Sequence, residues 1–132
     1  MKFVSQLLAA KGHDVWSVTP DTTVFDALQL MADRKIGALV VLEEDSLVGM
    51  FSERDYARKI ILKGKSSEDT PVREVMSSKS VCVRPDQTTG ACMSLMIEKR
   101  VRHLPVMDGE KLIGIISIRD LVKPLSQTGK MS

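Results

Sequence analysis

Residues 15–57 read VWSVTPDTTVFDALQLMADRKIGALVVLEEDSLVGMFSERDYA, and residues 80–122 read SVCVRPDQTTGACMSLMIEKRVRHLPVMDGEKLIGIISIRDLV. A shift of 65 lays one on the other without a gap over 43 positions, and thirteen pairs are identical. They are Val18/Val83, Pro20/Pro85, Asp21/Asp86, Thr23/Thr88, Leu30/Leu95, Met31/Met96, Leu39/Leu104, Val41/Val106, Leu47/Leu112, Gly49/Gly114, Ser52/Ser117, Arg54/Arg119 and Asp55/Asp120. Ordinary composition would give roughly three by chance. A fixed internal period means one duplicated unit, and it decides the fold before any element is assigned.

The hydrophobic pattern repeats with the identities. In each half a short extended stretch (16–18, 81–83) runs into Pro-Asp, where proline holds its predecessor extended and the polar residues after it can cap a helix. Val24, Ala27, Leu28 and Met31 then fall at i, i+3, i+4 and i+7, as do Thr89, Cys92, Met93 and Met96, so each helix has one apolar face. An apolar strand (38–42, 104–107), a polar turn (43–46, 108–111) and a second strand (47–51, 112–116) follow. Asp108-Gly109 favours a tight hairpin. A second helix closes each half, over about 53–62 and 118–125. The pattern is β-α-β-β-α twice, an α/β (α+β) class whose halves are expected to pair about a pseudo-twofold axis. The expected organisation is one module over 1–132, with repeat one at 4–62, a polar linker at 63–70 (KGKSSEDT), repeat two at 71–126 and a tail at 127–132. Val4-Ser5-Gln6-Leu7-Leu8 resembles Pro71-Val72-Arg73-Glu74-Val75-Met76, so each half has a similar lead-in.

Composition narrows the function. A chain of 132 residues with 43% hydrophobic and 27% charged residues suits one globular unit with a single-domain core. A net charge of +2 gives no long-range pull toward nucleic acid or membrane, and no segment reaches the ~18 apolar residues of a membrane span. Cys82 and Cys92 fit neither a zinc spacing nor a disulfide framework and read as reduced core thiols. A cytoplasmic protein is expected.

The sharpest local pattern is Gly49-Met50-Phe51-Ser52-Glu53-Arg54-Asp55, matched by Gly114-Ile115-Ile116-Ser117-Ile118-Arg119-Asp120. Each puts Ser-x-x-Asp where a strand becomes a helix. One reading is a capping box. The other is a ligand site, because helix N–H groups attract phosphate, a carboxylate accepts from ribose hydroxyls, and the preceding glycine permits close approach. The second feature is the basic run 98–103 entering a strand at Arg102-His103-Leu104-Pro105-Val106. Its cations either complement a helix C-terminus or bind phosphate. The first repeat has Gly37-Ala38 at this place, so the two sites are expected to differ in charge.

With these residues in hand, the chain resembles a tandem CBS-domain pair, or Bateman module. The likeness spans nearly the whole sequence, and the chain looks like a stand-alone pair, similar to bacterial proteins described as signal-transduction proteins. It implies adenosine-containing ligands, AMP, ADP, ATP, NAD(H) or S-adenosylmethionine, in two clefts between the repeats, with Asp on ribose and Ser near phosphate. One site would use Ser117, Arg119 and Asp120 with Ser17, Ile36, Gly37 and Ala38, and phosphate contacts from Arg102 and His103. The other would use Ser52, Arg54 and Asp55 with Cys82, Val101, Arg102 and His103. Met50 and Ile115 would press on the base. The departure from the family pattern is Val40, which stands where the second repeat has Pro105, with no basic pair before it.

Remaining features carry less. Gly64-Lys65-Ser66 lacks the first glycine of a P-loop, since position 59 is lysine. His13 reads as an exposed, idle histidine, and Trp16 as core or interface. Three functions compete: a non-enzymatic regulatory module that binds an adenine nucleotide and signals to a protein target, a homodimerisation module built on Tyr56, Ile60, Ile61, Leu121 and Val122 with vestigial clefts, and a small nucleotide enzyme. The last lacks a base poised beside a nucleophile. No catalytic residue, metal or catalytic cofactor is expected.

Overall fold

The computed structural model describes residues 2–77 and 81–123. The chain divides into two compact units, Trp16–Ser80 (the first-repeat unit) and Met1–Val15 with Val81–Ser132 (the second-repeat unit). The lead-in of each repeat along the sequence therefore packs on the other repeat in space.

In the first-repeat unit, β1 (Ser17–Val18) is followed by α2 (Val24–Arg34), β2 (Ala38–Glu43), β3 (Ser46–Ser52) and α3 (Glu53–Asp55). α1 (Val4–Lys11) precedes them in the chain but belongs to the second-repeat unit. The sheet order is β1-β2-β3, with β1 parallel and β3 antiparallel to β2. Thr23 Oγ1 accepts the Asp26 N–H at 3.1 Å and so caps α2, whose apolar stripe buries Val24, Ala27 and Met31 as its spacing predicts. Glu44 and Asp45 both adopt positive φ, the geometry of a two-residue hairpin turn. α3 continues as a π-helix over Tyr56–Ile61, where a plain α-helix to residue 62 is predicted. Its Ile60 joins Leu39, Val41 and Phe51 in the core with Val72 and Val75 from the lead-in.

The second-repeat unit repeats this with α4 (Thr89–Lys99), β4 (His103–Asp108), β5 (Lys111–Ser117) and α5 (Ile118–Val122). Thr88 caps α4 through the Ala91 N–H. Residues 81–83 do not form a strand; Val83 makes a single parallel bridge to Val106. The predicted end of the last helix, 124–125, lies outside the described residues, as does the expected tail. Cys92, Met96, Leu104, Val106 and Ile116 form the core with Val4, Leu7 and Leu8 of α1.

The two lead-ins dock alike. Val72 N–H donates to Thr22 O and Arg73 N–H to Pro20 O, while Val4 N–H donates to Gln87 O and Ser5 N–H to Pro85 O. Side chains then cover the glycines of β3 and β5. A Cβ on Gly49 would lie 2.8 Å from Met76 Sδ and 2.7 Å from Ser77 O, and one on Gly114 would lie 2.7 Å from Leu8 Cδ2. The paired glycines leave room for the lead-ins to pack on β3 and β5.

Candidate functional site

Each unit gathers its half of the predicted site residues at one end of its hairpin. In the first-repeat unit Ala38 pairs with Ser52 and Val40 with Met50, and Ser17 lies beside Val40. Glu53 N–H donates to Gly37 O at 3.1 Å, fixing the start of α3. Ser52 N–H donates to Asp55 Oδ2 at 3.0 Å, and Asp55 N–H donates to Ser52 Oγ at 3.3 Å. The capping box is thus formed, and Lys59 Nζ stands 3.3 Å from Asp55 Oδ1. Arg54 and Ile36 are partly buried beside this cap.

The second-repeat unit places His103 opposite Ser117 and Pro105 opposite Ile115. Ile118 N–H donates to Arg102 O at 2.8 Å, the counterpart of the Glu53–Gly37 bond. Ser117 N–H donates to Asp120 Oδ2 at 2.8 Å, and Asp120 N–H to Ser117 Oγ at 3.2 Å. Arg102 and Arg119 are exposed and Val101 is partly buried. Cys92 is buried as a core thiol, but Cys82 is exposed rather than in the core; neither is in a disulfide, and desolvation pushes both above the ordinary cysteine value. In both units, then, the first and third N–H groups of the short helix are already used within the protein.

One residue near the second cap has no signal in the sequence. Lys11, the last residue of α1, donates from Nζ to Asp120 Oδ2 at 2.6 Å and to Ile115 O at 2.8 Å. It is 109 residues from its partner, so no local pattern could reveal it. His13 is exposed but not idle: its Nδ1 bonds Ile113 O at 2.8 Å. Lys11 and His13 together cover two carbonyls of β5. In the first repeat the same service to β3 comes from the main chain, where Met50 and Ser77 exchange both N–H···O bonds.

The charged groups around the two caps differ. Burial pushes Asp120 upward, but hydrogen bonds from Lys11 and Ser117 outweigh it and hold the carboxyl below its ordinary value. Burial lowers His103, helped by the positive charges of Lys11 and Arg102 and opposed by Asp120. Its imidazole is therefore neutral near pH 7. In place of that histidine the first repeat has Ala38, and a Cβ on Gly37 would lie 3.1 Å from Glu53 Oε1, so a carboxylate borders that site. Trp16 is half exposed, outside the core, with the Arg34 guanidinium 4.0 Å from its ring centre. Among the described residues no three His, Cys, Asp or Glu side chains gather as metal ligands, and no helix is long and apolar enough to cross a membrane.

A duplicated α+β unit with a capped Ser-x-x-Asp at each strand end defines a tandem-repeat module rather than a single-site fold. A family model described as the CBS domain matches it twice, over residues 8–62 and 72–127, and the chain belongs to the CBS-domain family. It is 48% identical to a CBS-domain protein of known structure from Burkholderia ambifaria MC40-6, covering 99% of this chain and 97% of that one at a TM-score of 0.91. It is 41% identical over 120 residues to the mitochondrial CBS domain-containing protein CBSX3 of Arabidopsis thaliana. That match covers 87% of this chain and 58% of the relative's length. The fold is shared more distantly, at 19% identity and a TM-score of 0.79, with the CBS domain pair of protein MJ0100, which was solved in complex with 5′-methylthioadenosine and S-adenosyl-L-methionine. There the match covers 92% of this chain and 93% of the other.

Proposed function

We propose that this chain is a non-enzymatic, cytoplasmic regulatory module that binds an adenine nucleotide, AMP, ADP, ATP or NAD(H), and relays occupancy to a protein partner. The observation that carries the reading is the state of the two carboxylates. In each cap one oxygen, Oδ2, is held by the serine N–H, and the side chains of Asp55 and Asp120 remain 14% and 21% exposed. A carboxylate so held is oriented and charged, and has lone pairs to accept from vicinal ribose hydroxyls. The adenosine compounds bound by the CBS pair of MJ0100 are of this chemistry. Arg102, His103 and Arg119 supply phosphate partners in the second-repeat unit, and Ser52, Arg54 and Asp55 form the less basic site.

A thermal-shift panel of AMP, ADP, ATP, NAD and NADH tests this, because any ligand that prefers the folded state raises Tm. At least one nucleotide is expected to do so, and no shift with any of them at millimolar concentration refutes the reading. Asp55→Asn and Asp120→Asn keep a cap acceptor while removing the charge. Each is expected to weaken one site by about tenfold, the loss of one charged hydrogen bond.

A second reading is favoured by apolar residues left in solvent. Ile61 and Leu62 are 57% and 78% exposed, and Val122 is 64% exposed. Those side chains suit a homodimer contact, which light scattering of the wild type and of Leu62→Lys would detect as a change in mass.

A further inference from the structure

We propose that Lys11 makes the second-repeat site selective for phosphorylated nucleosides, by occupying the ribose-binding carboxylate until a phosphate takes its ammonium group. The inference rests on the nucleotide reading above and adds a residue from outside both repeats of the Ser-x-x-Asp pattern.

The geometry sets up a competition. Lys11 Nζ makes its shorter contact, 2.6 Å, with Asp120 Oδ2, the oxygen that also accepts from Ser117 N–H. Both side chains are substantially shielded, at 31% and 21% exposure, so the pair is worth more than a solvated ion pair. The arrangement differs at Asp55. There the nearby cation, Lys59, comes from the following helical turn, stands on the other oxygen, and donates to Val75 O at 2.9 Å. Among the described residues, a lysine from a distant segment shares the oxygen fixed by the cap in the second-repeat unit and not in the first.

A ligand hydroxyl that takes Asp120 loosens the ammonium from its anion. A neutral nucleoside offers nothing in exchange, and Lys11 is left with Ile115 O alone. A nucleoside 5′-phosphate offers a new anion, so the same lysine that opposes adenosine assists AMP. Arg102 adds positive charge on the same unit, whereas neutral His103 supplies a hydrogen bond without charge. The tether also ties the end of α1 to the site, so ligand exchange at Asp120 bears on the helix that carries Val4, Leu7 and Leu8 into the core.

The test is titration calorimetry of AMP and adenosine in an Asp55→Ala background, which leaves the second-repeat site to be read. Lys11→Met is expected to weaken AMP by about tenfold and to strengthen adenosine by about threefold. Lys11→Arg is expected to keep the preference for AMP. Lys11→Gln, more soluble than the methionine variant, should behave like it, and thermal melts establish that each variant is folded. Equal changes for AMP and adenosine, or no change in either, would overturn the assignment of Lys11. Absence of binding by both ligands in every variant is a different result: it overturns this inference, and the nucleotide reading falls with it where the wild type also gives no thermal shift with the nucleotide panel.

Discussion

His103 is held neutral by its surroundings, and that has a measurable cost in acid. Its pKa in the folded chain is lowered by burial and by Lys11 and Arg102, so the unfolded chain binds the proton more readily. Between the two values stability rises with pH. It is therefore full above the usual histidine range, near ~6.5, and is lost as pH falls below it toward the folded value. Asp120, also lowered, titrates far below this window and leaves it undisturbed. Urea midpoints at pH 7.5 and 5.5 are expected to differ for the wild type and to draw together in His103→Gln. A phosphate bound beside the imidazole would reverse the shift, so AMP binding near pH 6 should take up protons. Calorimetry in two buffers of different ionisation enthalpy reads that uptake directly. The glycines give a second residue-scale expectation. Ala at Gly49 meets the Ser77 carbonyl, a backbone atom, whereas Ala at Gly114 meets the end of the Leu8 side chain. Overpacking of this kind costs about 1–3 kcal/mol, with Gly49→Ala toward the top and Gly114→Ala toward the bottom. Leu8→Val should rescue only Gly114→Ala, as a double-mutant cycle by denaturant unfolding would show.

At the scale of elements, most of the identical pairs that revealed the duplication do folding work. Thr23 and Thr88 cap helices, Pro20 and Pro85 accept from the lead-ins, and Met31/Met96, Leu39/Leu104 and Val41/Val106 fill the two cores. That is why helix starts, hairpins and buried stripes were legible: each rests on neighbours a few residues away. The capping boxes at Ser52 and Ser117 were legible for the same reason, and they serve as helix caps whether or not a ligand uses their aspartates. What the sequence hid is what depends on distant partners. Nothing local to Gly49 or Gly114 points to Met76 or Leu8. The carboxylate that Lys11 meets is far along the chain, and the π-helical turn at Tyr56–Ile61 has no marker that periodicity can read. The replacement of main-chain pairing at Ser77 by the side chains of Lys11 and His13 shows two repeats solving one problem, a strand edge, with different chemistry.

For the whole molecule, the exchange of lead-ins separates two ways of dividing the chain. Along the sequence, Val4–Leu8 opens repeat one, so removing it would be expected to injure that repeat. In the fold those residues complete the core around Cys92, Met96 and Leu104, and Lys11 and His13 close the edge of β5. Burial of a Leu or Val side chain contributes roughly 1.5–3 kcal/mol, so losing Val4, Leu7 and Leu8 together removes an amount comparable to the stability of a small domain. Deletion of residues 2–11 is therefore expected to unprotect the second repeat first. In hydrogen–deuterium exchange, amides of residues 103–117 should lose protection to a greater degree than those of residues 38–52, whose own lead-in, Val72 and Val75, is intact. Stacking of Arg34 on Trp16 lies within the first-repeat unit, so the tryptophan emission should change less than the exchange at β4 and β5. Loss of protection confined to residues 38–52 would instead show that the N-terminal helix supports the repeat it precedes.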